Sequence, residues 1–167
     1  MAKKTKEEPF GVLLDTSFIL RLLNSQDSIH EKALDYFNFF IRNENPMYFS
    51  TISIAEYTVG GAFEDLPLEL LRIVPFNIDH AKEAGKLART CLEARRSGYI
   101  ELDKRVIIPN DCKLFAQGSV LNDVKYFVTA DVKSASVIKL LQDKHNIGLE
   151  HLDINVSVHE NFGILPL

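Results

Sequence analysis

The sequence contains no tryptophan, only two methionines and two cysteines, and no apolar run of membrane-crossing length. A bilayer-spanning helix takes about 20 consecutive apolar residues, so no membrane protein is expected. Cys91 and Cys112 are too few for a disulfide framework and form no C-x-x-C pair, which points to a reducing, cytoplasmic setting. The basic start, MAKKTKEEPF, lacks the apolar stretch that a secretory signal places after its charges. An excess of positive charge is missing too: the formal net charge is −4. That argues against a protein coated in positive charge for nucleic acid. It leaves room for an enzyme that grips a phosphate chain locally, because a net number conceals distribution. Also absent are a G-x-x-x-x-G-K-[ST] loop, a G-x-G-x-x-G turn and a G-x-S-x-G elbow. His30, His80, His145, His151 and His159 form no H-E-x-x-H or other close pair, and all five read as surface or boundary residues.

What remains is an ordinary globular composition, 46% apolar and 25% charged over 167 residues, enough for one domain with a sizeable core. Residues 1–9 read as a polar arm and 10–167 as a single domain. Gly11 to Leu14 form a short buried-strand pattern closed by Asp15. Phe18, Ile19, Leu22 and Leu23 then share one helical face, and Ile29, Ala33, Phe37, Phe40 and Ile41 share another. Met47 to Phe49 suggest a strand, with Ser50 or Thr51 capping a helix whose buried stripe is Ile52, Ala55 and Val59. Residues 66–76 are apolar but broken by Pro67 and Pro75, and their pattern assigns no element clearly. A long amphipathic helix is expected from Asp79 to about Arg96, with Ala81, Ala84, Ala88, Cys91 and Leu92 inward and Gly98 just past its end. Asn110 is the expected cap of a helix containing Asp111. "YFVTAD" is a further strand ending at an acid, "VKSASVIKLLQDKH" a helix and "GLEHLDI" a last strand. Strands and helices alternating at this spacing predict an α/β fold: three layers, α/β/α, around a mainly parallel sheet of four or five strands.

In such sheets ligands bind beyond the carboxyl ends of the strands. Asp15 and Asp131 each close an apolar run and precede a helix, so both should border that crevice. Either alone reads equally well as a helix cap. Two of them on two buried strands favour a functional role, because like charges brought together repel unless something positive separates them. Glu56 lies at the border of its helix's apolar stripe, where the plain alternative is a surface glutamate. Asp111 lies in a first helical turn, where an acid is favourable in any case. Together the four offer oxygen ligands with no soft competitors, a set suited to Mg²⁺ or Mn²⁺ rather than Zn²⁺.

The order of these segments resembles the PIN-domain family of metal-dependent ribonucleases, which includes toxins of the VapC type. "LLDTSFIL", "STISIAEY", "IPNDCKLFAQGSVLN" and "YFVTAD" carry the resemblance, which covers about residues 11–145. It implies Asp15, Glu56, Asp111 and Asp131 as catalytic acids and metal ligands, holding one or two Mg²⁺ or Mn²⁺ ions, with Thr16 or Thr129 orienting a water or a carboxylate. It implies hydrolysis of RNA phosphodiester bonds by a toxin-like or RNA-processing enzyme, a homodimer and, for a toxin, a small antitoxin partner. The dimer expectation is also drawn from Tyr36, Phe37, Phe39 and Phe40, more aromatic surface than one helical stripe needs. Lys133 stands where many members carry another acid or polar ligand, and it and Lys113 are candidate contacts for substrate phosphate. Arg21, Lys104 and Arg105 are further candidates near the rim. A catalytically silent RNA- or protein-binding module is the competing reading. A phosphoaspartyl hydrolase ranks below both, since it needs an acid two residues after its nucleophile and position 17 is serine.

Overall fold

The computed structural model describes residues 8–99 and 108–163. Its elements in chain order are β1 (Gly11–Leu14), α1 (Thr16–Leu23), α2 (His30–Arg42), β2 (Met47–Ser50), α3 (Thr51–Tyr57), β3 (Arg72–Val74), α4 (Ile78–Arg96), α5 (Ile108–Val120), β4 (Val124–Thr129), α6 (Ser134–His145), β5 (Glu150–Asp153) and α7 (Val158–Phe162). The strands form one five-stranded sheet in the order β3-β2-β1-β4-β5, and every neighbouring pair is parallel. The three-layer expectation and its upper strand count hold. The strand that the sequence did not resolve is β3, three residues at the edge of the sheet, entered through short 3-10 turns at Phe63–Asp65 and Leu68–Leu70.

β1 is buried at every position because helices cover both faces of the sheet, so its sequence is uniformly apolar rather than alternating. The alternation appears in what each side chain meets. Val12 and Leu14 pack in the layer of α1 and α2 with Phe18, Ile19, Tyr36 and Phe40. Leu13 points the other way, into the layer of α4, α5 and α6 with Leu87, Phe115 and Leu141. Gly11 admits β1 to the centre of the sheet: a Cβ there would lie 2.9 Å from the Asp123 carbonyl oxygen and 3.0 Å from the Tyr48 ring.

Several expected faces are corrected. In α3 the buried residues are Ser53 and Tyr57, while Ala55 is exposed and Val59 is 89% exposed beyond the helix end. A helix of seven residues has under two turns, so a stripe extended to position 59 is never realised. In α4, Leu87 joins Ala84 and Cys91 in the core, whereas Ala81 and Leu92 face outward. His80 is buried rather than at the surface: Asn77 Oδ1 accepts its N–H at 3.0 Å, and its Nδ1 accepts the Asn77 N–H at 3.2 Å. Asn110 caps nothing, because α5 already begins at Ile108. Pro109 in that first turn gives up only an N–H that would have had no intrahelical partner. The free thiols Cys91 and Cys112 are both buried, facing each other between α4 and α5 with sulfurs 3.9 Å apart.

The aromatic residues of α2 are also accounted for within the chain. Tyr36, Phe37 and Phe40 are buried, and Phe39 stacks on Phe162 of α7 with ring centroids 4.6 Å apart. Phe162 also contacts Phe10 and Tyr126, and the Asn161 side chain donates to the Tyr36 hydroxyl at 2.6 Å. The residues beyond β5 thus close over α2, and the aromatic surplus that suggested a dimer surface is used up in this packing.

Candidate active site

The strand order places the site. From β1 the chain builds outward through β2 to β3, then returns to the other side of β1 for β4 and β5. Neighbouring crossovers therefore leave β1 and β4 in opposite directions and open a crevice at the carboxyl ends of these two strands. Asp15 follows β1 and Asp131 lies two residues beyond the end of β4, so both border it. The register carries them together: Leu14 pairs with Val128, and the Asp15 N–H donates to the Val128 carbonyl at 2.9 Å.

Two hydroxyls tie this end of the sheet. Thr129 Oγ1 donates to Asp15 Oδ2 at 2.8 Å and accepts the Asp131 N–H at 3.0 Å, so a single hydroxyl serves both acids. Ser17 Oγ donates to the same Asp15 oxygen at 2.5 Å, accepts the Ala130 N–H at 3.0 Å and lies 3.1 Å from Thr129 Oγ1. Thr129 is fully buried, which fixes its rotamer. Asp15 occupies the N-cap position of α1, yet its side chain makes no capping bond to the helix. The plain structural role for this acid is therefore absent. For Asp131 part of that role is present, since Oδ1 accepts the Lys133 N–H at 2.9 Å in a local turn.

Glu56 and Asp111 arrive from helices. Thr16 Oγ1 donates to Glu56 Oε2 at 2.6 Å, linking α1 to α3. Asn110 Nδ2 donates to the other oxygen, Oε1, at 3.0 Å, linking α5 to α3. Asp111 is the most perturbed of the four. Burial first, then the negative charges of Asp15, Asp131 and Glu56 in that order, push its carboxyl from the ordinary 3.8 up to about 7. The negative charges of Asp15, Asp131 and Glu56 all bear on the Asp111 carboxyl. Among the described residues, no three His, Cys, Asp or Glu side chains close into a ready cage for an ion. The donor set is nevertheless all oxygen and short of positive charge. Its chemistry fits a hard divalent cation that keeps part of its water shell.

The remaining sequence candidates are dispersed. The Lys113 ammonium donates to Asn110 Oδ1 at 3.3 Å, so its first contact is with a neighbouring side chain. Lys133 is exposed at the start of α6, with its backbone rather than its ammonium on Asp131. Arg21 is half-buried on α1, and Lys104 and Arg105 lie outside the described residues. Both threonines orient carboxylates, Thr16 on Glu56 and Thr129 on Asp15. Sequence reasoning missed Ser17 and Asn110. The available signal was position: Ser17 is two residues beyond a strand-end acid, and Asn110 immediately precedes the candidate acid Asp111.

No family model and no curated protein matches the chain. Among solved structures it is similar to a chain of the VapBC2 complex of Rickettsia felis, crystallised with a DNA fragment of its promoter. The identity is 20%, the TM-score 0.56, and the match covers 86% of this chain and 99% of the other. It is also similar to a chain of the DNA-bound VapBC complex of Salmonella typhimurium, 16% identical with a TM-score of 0.53, covering 87% of this chain and 98% of that one. Nearly the whole of each neighbour is thus spanned by the same arrangement of elements, at an identity that speaks for architecture. The likeness shows the fold: this chain has the architecture of those chains of the VapBC complexes, the one expected from its resemblance to PIN domains.

Proposed function

We propose that this protein is a Mg²⁺- or Mn²⁺-dependent endoribonuclease, the toxin of a toxin–antitoxin pair. The observation that carries the reading is the set of side-chain ties at this end of the sheet: Thr129 joins Asp15 to Asp131, Thr16 next to Asp15 holds Glu56, and Asn110 next to Asp111 holds the other Glu56 oxygen. Four carboxylates of one charge repel phosphate as well as each other, so substrate binding and chemistry both call for a cation. Asp15, Asp131, Asp111 and Glu56 would hold it, directly or through water. When bound, a divalent ion supplies an activated water and relief of charge on the phosphate and on the leaving oxygen.

The chain's own part is orientation. Ser17 and Thr129 pin one oxygen of Asp15, leaving its other oxygen to turn toward the crevice. Thr129 also holds the Asp131 backbone, so the two strand-end acids keep a fixed separation. Asp111, with its carboxyl pushed up to about 7, is only partly ionised near neutrality, and a bound cation would favour its ionised form. No serine, cysteine or histidine is needed as nucleophile. RNA as substrate, a small antitoxin protein and a second copy of the chain are the partners this reading brings. VapB–VapC pairing is what the neighbours' names state of those proteins.

The test is cleavage of single-stranded RNA by the purified protein in Mn²⁺. Wild type should cleave, and Asp15→Asn should keep the fold and lose nearly all cleavage. A wild-type rate in Asp15→Asn refutes the assignment. Light scattering that gives only the monomer mass at high protein concentration removes the homodimer.

A further inference from the structure

Glu56 differs from the other three acids in having both carboxylate oxygens held by side-chain donors, Thr16 on Oε2 at 2.6 Å and Asn110 on Oε1 at 3.0 Å. Both donors are neutral. The nearby ammonium of Lys113 stops one residue short, on Asn110 Oδ1 at 3.3 Å. We infer that Asn110 is a positioning residue of the candidate active site, interposed between Lys113 and Glu56 so that the carboxylate is fixed in direction but keeps its charge for a bound divalent cation. The inference rests on the metal-dependent reading above.

The chemistry of the amide supports it. Asn110 presents an acceptor to an ammonium and a donor to a carboxylate, and turning the amide over would set like against like at both ends. Its orientation is therefore dictated by its two partners. Had Lys113 reached Glu56 itself, the ion pair would have neutralised a ligand. With the amide between them, Lys113 steadies the arrangement from outside. Three elements meet at this carboxylate, α1 through Thr16, α5 through Asn110 and α3 through Glu56 itself. Loss of either donor frees Glu56 to rotate on its own flexible stem. Groups that orient a metal ligand from outside the coordination shell typically contribute about 10- to 100-fold in metal affinity. Asn110 is exposed, which sets the expectation at the lower end, about tenfold.

The test is calorimetric titration of Mn²⁺ into the full chain, wild type against Asn110→Ala, Glu56→Ala and the double variant, with Asp15→Asn alongside. Asn110→Ala should weaken Mn²⁺ binding about tenfold while leaving the metal-free melting temperature close to wild type. In the Glu56→Ala background the same substitution should change nothing further, since its effect passes through Glu56. Wild-type Mn²⁺ affinity in Asn110→Ala, with Glu56→Ala and Asp15→Asn both weakened, overturns the positioning role and leaves the metal site standing. An equal loss with and without Glu56 overturns it as well. Unchanged binding in Asp15→Asn and Glu56→Ala removes the metal site, and the inference with it.

Discussion

Replacing Asp111 by asparagine should stabilise the metal-free protein, and only above a definite pH. The Asp111 carboxyl is pushed from 3.8 up to about 7 by burial and by the charges of Asp15, Asp131 and Glu56. In the unfolded chain it loses its proton near the ordinary value. Between those two values the folded state binds more protons than the unfolded one, so this group's contribution to stability falls as pH rises. The penalty is absent below about pH 4 and complete above about pH 7. At about 1.4 kcal/mol per pH unit the rise corresponds to a ceiling of about 4 kcal/mol. Water entering an open crevice screens part of it, and about 2 kcal/mol is the expected gain. Asparagine keeps the shape and cannot ionise. Urea unfolding in EDTA at pH 4 and pH 8 measures the difference directly. Asp111→Asn should match wild type at pH 4 and exceed it by about 2 kcal/mol at pH 8. Added Mn²⁺ at pH 8 should stabilise wild type more than the variant, because only wild type regains a favourable place for the ionised group. A gain that is equal at both pH values, or a variant less stable at pH 8, would refute the argument that the four acids share one electrostatic environment.

Other predictions follow from the hydroxyl ties and the packing. Thr129→Val removes the hydroxyl shared by Asp15 and Asp131 and leaves the half-buried Asp131 N–H without its partner; stability should fall by about 1–2 kcal/mol in thermal melts, and cleavage should fall with it. Ser17→Ala removes a second donor from the same Asp15 oxygen, and its loss of cleavage should be less than additive with that of Thr129→Val, measured as a double-mutant cycle. Phe162→Ala opens the aromatic cluster between α7, α2 and Phe10 and should cost about 3 kcal/mol by urea unfolding, without changing Mn²⁺ affinity, since the cluster lies away from the carboxyl ends of the strands.

The sequence announced Asp15 and Asp131 because a carboxylate ending a buried strand conflicts with its surroundings, and that conflict can be read without coordinates. Glu56 and Asp111 are weaker signals, since a glutamate at the border of an apolar stripe and an acid in a first helical turn are each unremarkable alone; they gain weight from Asp15 and Asp131 and from the resemblance to PIN domains. Ser17 is hard to read in the sequence because a serine after a strand-end acid is also an ordinary first-turn residue of a helix. Asn110 escaped because capping explains an asparagine near a helix start, and the helix in fact begins two residues earlier. β3 left no periodic trace, being three residues bounded by 3-10 turns and Pro75. The faces of α3 and α4 were misjudged for different reasons. The first helix is too short for its period to develop, and in the second alanine patterning concealed Leu87 and His80, which carry the burial.

The side-chain ties divide the site into a half carried by the strands and a half carried by helices. Asp15 and Asp131 are anchored to adjacent strands through Thr129 and Ser17, whereas Glu56 and Asp111 ride on α3 and α5, helices joined at this crevice by the Asn110–Glu56 bond. The sheet therefore sets the spacing of one pair of acids and the seating of two helices sets that of the other, so the four like charges rest on two different supports within one chain.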